Sequence, residues 1–238
     1  MNIAYSYWPR AKGAARPAKR QPLLTTAARP LRFSARLPGM NEPDAKAELR
    51  EYLQQARDVM LWKLQGLSEY DVRRPMTPTG TNLLGMVKHL AGVEFGYFGD
   101  TFGRPPEPPL PWSLEQAMQN ADMWATAAES RDDITGLYRR AWAHSDATIE
   151  ALPLGATGRV PWWPADRGDV TLHRLLVHVI ADTQRHAGQA DILRELIDGA
   201  AGFRPDYDSL TSSDPAWWQR YRDQVERAAR QAAGHPEG

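Results

Sequence analysis

The stretch His178-Val179-Ile180-Ala181-Asp182-Thr183-Gln184-Arg185-His186-Ala187-Gly188-Gln189 decides how this chain is read. Wound as a helix, it sets His178, Asp182 and His186 at steps of four, each turned only about 40° from the last. Around them runs an apolar stripe of Leu172, Leu175, Leu176, Val179, Thr183, Ala190, Leu193 and Ile197, with the three-and-four spacing of a buried face. Asp182 and His186 therefore fall inside the stripe that faces the core. A lone carboxylate there is costly unless something charged meets it. A divalent metal answers that need, because carboxylate and imidazole side by side on one helical face supply two ligands. The simpler alternative is a buried His–Asp hydrogen bond. Spacing alone does not choose between the two.

The same helical spacing recurs along the chain. A first helix runs from Asp44 to about Leu67, with Leu49, Leu53, Ala56, Met60, Leu64 and Leu67 on its apolar side. The segment Ser68–Gly80, with Pro75 and Pro78, reads as a connector. Thr81 is placed to cap a second helix from Asn82 to about Tyr97, which carries His89 between Met86 and Val93. Five prolines between residues 105 and 111 make a stiff loop. Ser113 with Gln116 and Ser130 with Asp133 both have capping-box spacing; the second pair opens a helix reaching about Leu152. The loop Pro153–Asp169 holds Trp162 and Trp163, which seal a core or line a pocket. Asp169 and Thr171 lead into the key helix, which ends near Gly199, and Asp214-Pro215 opens a last helix with Trp217, Trp218, Tyr221 and Val225. No strand alternation of useful length is present. The expected fold is all-α, a four-helix bundle with an extra C-terminal helix.

The chain has 238 residues and no cysteine, so a metal site here is built from histidine and carboxylate, without thiolate. That also fits a reducing cytoplasm. No apolar run approaches the length of a membrane span. Of the 29 basic residues, eight fall in residues 1–39, which hold no acid; the remainder has 21 basic against 29 acidic residues, a net charge of −8. An acidic folded part argues against a nucleic-acid surface. Residues 1–39, rich in Arg, Ala and Pro and without period, are expected to be a disordered basic extension. A basic arm, a transit-like segment and upstream sequence ahead of a start at Met40 are the three readings, the last being favoured because composition flips there. Residues 40–232 form the expected domain and 233–238 a tail.

Four segments, taken in order, resemble the DinB-like superfamily, in particular an actinobacterial branch. They are Lys88-His89-Leu90-Ala91-Gly92-Val93-Glu94, Asn120-Ala121-Asp122-Met123-Trp124, Val160-Pro161-Trp162-Trp163-Pro164, and His178 with Arg185-His186-Ala187-Gly188-Gln189-Ala190-Asp191-Ile192-Leu193-Arg194-Glu195. The likeness runs from about Glu42 to Arg230 and extends to the metal-binding bundle of mycothiol-dependent maleylpyruvate isomerases. It implies a metal near one end of the bundle, held by His89 on the second helix with Asp182 and His186 on the last. Asp182 stands where the family usually has Glu or His, and Gln189 where many relatives have histidine. His178, Gln189, Trp163 and Arg185 are candidates for the pocket or for support of the ligands. For Arg185, a surface cation is the plainer reading.

Three protein ligands leave a coordination position open, the arrangement of a catalytic site. The resemblance implies a divalent metal, zinc first and nickel, iron or manganese as alternatives, and transfer or isomerisation using a low-molecular-weight thiol such as mycothiol. A small-molecule substrate, a cytoplasmic location and a homodimer belong to the same expectation. Its competitors are a non-catalytic bundle that binds metal or a small ligand, and a metal-free bundle with the histidines bonded to Asp182. Glu94 sits about 140° around the helix from His89, which suits a structural ion pair better than a general base.

Overall fold

An amphipathic helix gains most of its stability from whatever covers its apolar face. In the computed structural model, which describes residues 42–208 and 210–234, four long helices cover one another. They are α1 (Glu42–Trp62), α3 (Leu83–Glu94), α5 (Arg131–Ala151) and α6 (Leu172–Asp198). The closest pairs are α1 with α6 and α3 with α5, and α3 also meets α6. Every residue of α3 except Gly92 is buried, which makes it the central helix. The protein is an all-α bundle of the expected kind. The expected extension at residues 1–39 and the last four residues of the expected tail lie outside the described residues.

The capping signals act where the spacing places them. Ser130 with Asp133 and Ser113 with Gln116 form reciprocal capping boxes, the latter opening the short α4 (Leu114–Met118). The Thr171 hydroxyl caps α6, and Gly199 ends it at φ 80°, a left-handed position that suits glycine. Asp214 caps α7 (Pro215–Ala232), but none of its residues is buried, and Tyr221 and Val225 are exposed.

Four expectations need correction. The first helix stops at Trp62 rather than Leu67, because a turn ending at left-handed Gly66 follows it. The connector contains a short helix, α2 (Glu69–Arg73), capped by Ser68. The long loop before α6 holds a small antiparallel hairpin, β1 (Thr157–Arg159) with β2 (Asp169–Thr171), pairing Gly158 with Val170. Its strands, of three residues each, are too short to show a period. Finally, α3 is capped by Asn82 rather than Thr81 and does not run regularly to Tyr97. Past Glu94 the backbone widens into a π-helical turn over Phe95–Gly99, then tightens into a 3₁₀ turn over Asp100–Phe102. A π turn holds an extra residue and rotates the side chains beyond it out of the α register.

Glu94 takes the structural role its angle suggested. Arg57 of α1 donates Nε and Nη2 to its two carboxylate oxygens at 2.8 and 2.6 Å, while Nη1 reaches Asp146 at 2.9 Å. Both members of the bidentate pair are fully buried.

Candidate metal centre

His89 projects from the middle of α3, and Asp182 and His186 project from one face of α6 across from it. One ligand atom from each of the three lies within 4.8 Å of the other two, the only such grouping of His, Cys, Asp or Glu among the described residues that could hold a metal ion. The imidazole rings of His89 and His186 stand 5.3 Å apart at 64°, and Asp182 Oδ1 is 4.0 Å from His186 Nε2.

Each ring is held from behind. His89 Nδ1 meets Asp122 Oδ2 at 2.6 Å, with both side chains almost wholly buried. A carboxylate only accepts, so Nδ1 carries the proton and the Nε2 lone pair points the other way. His186 Nδ1 meets Gln189 Oε1 at 3.1 Å, one turn further along α6, with the same consequence. His89 Nε2 and His186 Nε2 are both buried, and neither has a hydrogen-bond partner. Two buried nitrogen lone pairs left unmatched beside a carboxylate are costly in a bare bundle. Two neutral imidazoles and one carboxylate oxygen are a donor set that zinc, nickel, iron or manganese accepts, so the residues fit the ion.

The surroundings disfavour charge without an ion. Burial raises the pKa of Asp182 above its ordinary value, against the opposing pull of His89, His178 and Arg185. Burial, reinforced by His89, lowers His186 to about 3, so its imidazole is neutral at physiological pH.

Asp122 is the residue that sequence reasoning quoted in a motif but gave no role. It lies 33 residues from His89, in an irregular segment strapped along α3. The Asn82 amide donates to Met123 O at 3.0 Å, and Lys88 Nζ donates to Trp124 O at 3.0 Å. Between these ties stands Gly85, where an added Cβ would run into the Met123 carbonyl. The strap lies this close to the helix because glycine leaves the space.

The remaining candidates sort themselves by contact. Gln189 meets His186 directly. Trp163 and His178 do not meet the three ligands but converge on Tyr97, whose hydroxyl accepts from Trp163 Nε1 at 3.2 Å and lies 3.1 Å from His178 Nε2. Arg185 is exposed, near enough for its charge to lower the pKa of both Asp182 and His186. Trp162 lines a pocket, one of the two roles open to it. A cleft of about 250 Å³ runs beside His89 and Asp122, walled by Tyr97, Trp112, Trp162 and the prolines of the 105–109 loop. Gly96 makes room for this wall, since a Cβ there would stand 2.7 Å from the Trp162 ring.

The profile of the family described as mycothiol S-transferase matches residues 48–199, more than half of the chain. No curated protein matches the chain. The matched span takes in α3, the Asp122 strap, the tryptophan loop and all of α6 to its glycine cap, so every residue of the centre lies within it. The chain belongs to the mycothiol S-transferase family, within the DinB-like superfamily.

Proposed function

We propose that this protein is a metal-dependent transferase that joins a low-molecular-weight thiol, mycothiol by its family, to an electrophilic small molecule. The observation that carries the proposal is the pair of buried, unpartnered Nε2 atoms of His89 and His186 converging on the Asp182 carboxylate next to a cleft. Of transfer and isomerisation, transfer is the reading the family description supports.

His89, Asp182 and His186 would hold the ion, with zinc the favoured choice. When bound, a divalent ion lowers the pKa of a thiol and makes thiolate available near neutrality. The chain's own residues do the rest. Asp122 and Gln189 fix each imidazole in the tautomer that presents Nε2, and their hydrogen bonds stop the rings from turning. The low pKa of His186 keeps protons from competing for its nitrogen. The aromatic and proline walls of the cleft give an apolar approach beside His89 where an electrophile would be bound. A thiol of this kind is kept reduced in the cytoplasm, where the proposal places the protein. Among the described residues, no helix is long and apolar enough to cross a membrane.

The test is elemental analysis of tag-free protein beside a His186→Ala control, followed by mycothiol consumption with a panel of electrophiles. About one metal per chain, lost in the control, together with metal-dependent conjugate formation is the expected result. Protein that takes up no metal from excess zinc or nickel overturns the proposal. Metal binding without thiol transfer leaves a non-catalytic metal binder.

A further inference from the structure

The cleft beside the metal centre carries charge of one sign. Among the residues that wall it, Asp100 and Asp122 are acidic and none is lysine or arginine. Asp122 is matched inside the chain, since His89 Nδ1 meets it at 2.6 Å. Asp100 is not: its carboxylate makes no hydrogen bond or ion pair among the described residues. Burial raises its pKa, with only the pull of His144 against it. Lys88 lies over the Trp112 ring at 5.0 Å, but its charge is already met by Glu129 at 2.8 Å.

The helix side that floors the cleft runs from His89 through Gly92 and Gly96 to Asp100. At a rise of about 1.5 Å per residue, Asp100 stands roughly 16 Å along the axis from His89. His89 is buried and Asp100 exposed, so the carboxylate sits at the mouth. Glycine lets two tryptophans close on this floor. An added Cβ would stand 3.3 Å from the Trp112 ring at Gly92 and 2.7 Å from the Trp162 ring at Gly96. Tyr97 and the prolines complete an apolar enclosure.

Aromatic rings attract a cation through their quadrupole, and an unmatched carboxylate attracts it through its charge. Apolar walls focus that field. An anion entering the same cleft meets two carboxylates and no base.

We infer that the cleft is a binding site for a small organic cation of the alkylammonium kind, held by Asp100 and the rings of Tyr97, Trp112 and Trp162. Binding stands by itself. The role in the reaction rests on the thiol-transfer reading above, under which the electrophile carries its cationic end toward Asp100 and its reactive carbon toward His89. Asp100 is then a specificity residue and takes no part in bond making.

The probes are choline and its neutral isostere 3,3-dimethylbutan-1-ol, which replaces the ammonium nitrogen by carbon. Binding to the full metal-loaded chain is followed by the indole N–H resonances of Trp112 and Trp162, without turnover. Choline is expected to bind about tenfold more tightly than the alcohol. Asp100→Asn, a change at an exposed position, is expected to bring the two within about twofold of each other. Asp100→Lys should reverse the preference and favour 3,3-dimethylbutanoate over choline. Choline that binds no more tightly than the alcohol, or a preference that survives Asp100→Asn, overturns the inference. Shifts confined to tryptophans outside the cleft overturn it as well. In conjugation of mycothiol with benzyl chloride, choline should raise KM and leave kcat unchanged. Choline that binds the cleft without raising KM overturns the role assigned to the site in the reaction. Protein that binds choline there but joins mycothiol to no electrophile overturns thiol transfer and keeps the cation site.

Discussion

Helix α3 buries His89 and Glu94 five residues apart, and the surroundings of these two side chains are opposites. Glu94 is closed: both carboxylate oxygens accept hydrogen bonds from Arg57, whose remaining nitrogen is occupied by Gln54 and Asp146. His89 is open: its Nδ1 is tied to Asp122 while its Nε2 faces His186 and Asp182 with no partner. A bundle can bury charge when the opposite charge arrives from the same chain. The closed cluster therefore needs nothing from outside and serves the fold. The open one has no ion pair as close as that of Arg57 with Glu94 among the described residues, and its two unpartnered nitrogens are what the proposed ion would meet.

The sharpest way to break the contrast is Arg57→Ala. Removing one member of a fully buried pair leaves an uncompensated carboxylate, and the expected loss is about 3–5 kcal/mol in urea unfolding. A loss below about 1 kcal/mol would mean that Glu94 finds water or a proton, and that the closed cluster is not closed. Next in size is the anchor of the open cluster. Asp122→Ala should weaken metal binding about 10–100-fold in competition against a chelating indicator. Gln189→Ala should cost less, because a neutral amide at 3.1 Å holds its ring more weakly than a carboxylate at 2.6 Å. Equal effects would show that ring orientation is set by packing and not by these bonds.

The smallest expected effect has the opposite sign. Asp182 is disfavoured as an anion without a metal, so Asp182→Asn should make the metal-free protein more stable by about 1 kcal/mol. The same substitution should abolish the rise in melting temperature that excess zinc gives the wild type through preferential binding to the folded state. Closed and open clusters thus respond differently: one loses stability when a charge is removed, the other gains it.

The bundle was legible because its signals are local and periodic. Apolar spacing outlined α1, α3, α5 and α6, and the caps Ser130, Thr171 and Gly199 located the start of α5 and both ends of α6. Asp182 and His186 were legible for the same reason, as two polar residues inside a stripe that had to face inward. The resemblance added His89 from another helix, and the structure brings all three within reach of one point. Trp163 and His178 were singled out as pocket candidates, but their shared partner, Tyr97, lies in a backbone widening that no hydrophobic period announces.

What the sequence by itself determined is therefore the four long helices and the chemistry of Asp182 and His186, since both follow from residue type and from spacing along one element. Only the tertiary structure decided which polar atoms are matched and which are left over. Asp122 reaches His89 across 33 residues of chain, and Arg57 reaches Glu94 across 37. No spacing rule distinguishes those two meetings, because each depends on where two separate elements cross. The difference between a sealed ion pair and an open cluster that could hold a metal is a matter of what stands opposite, and that is settled only when the helices pack.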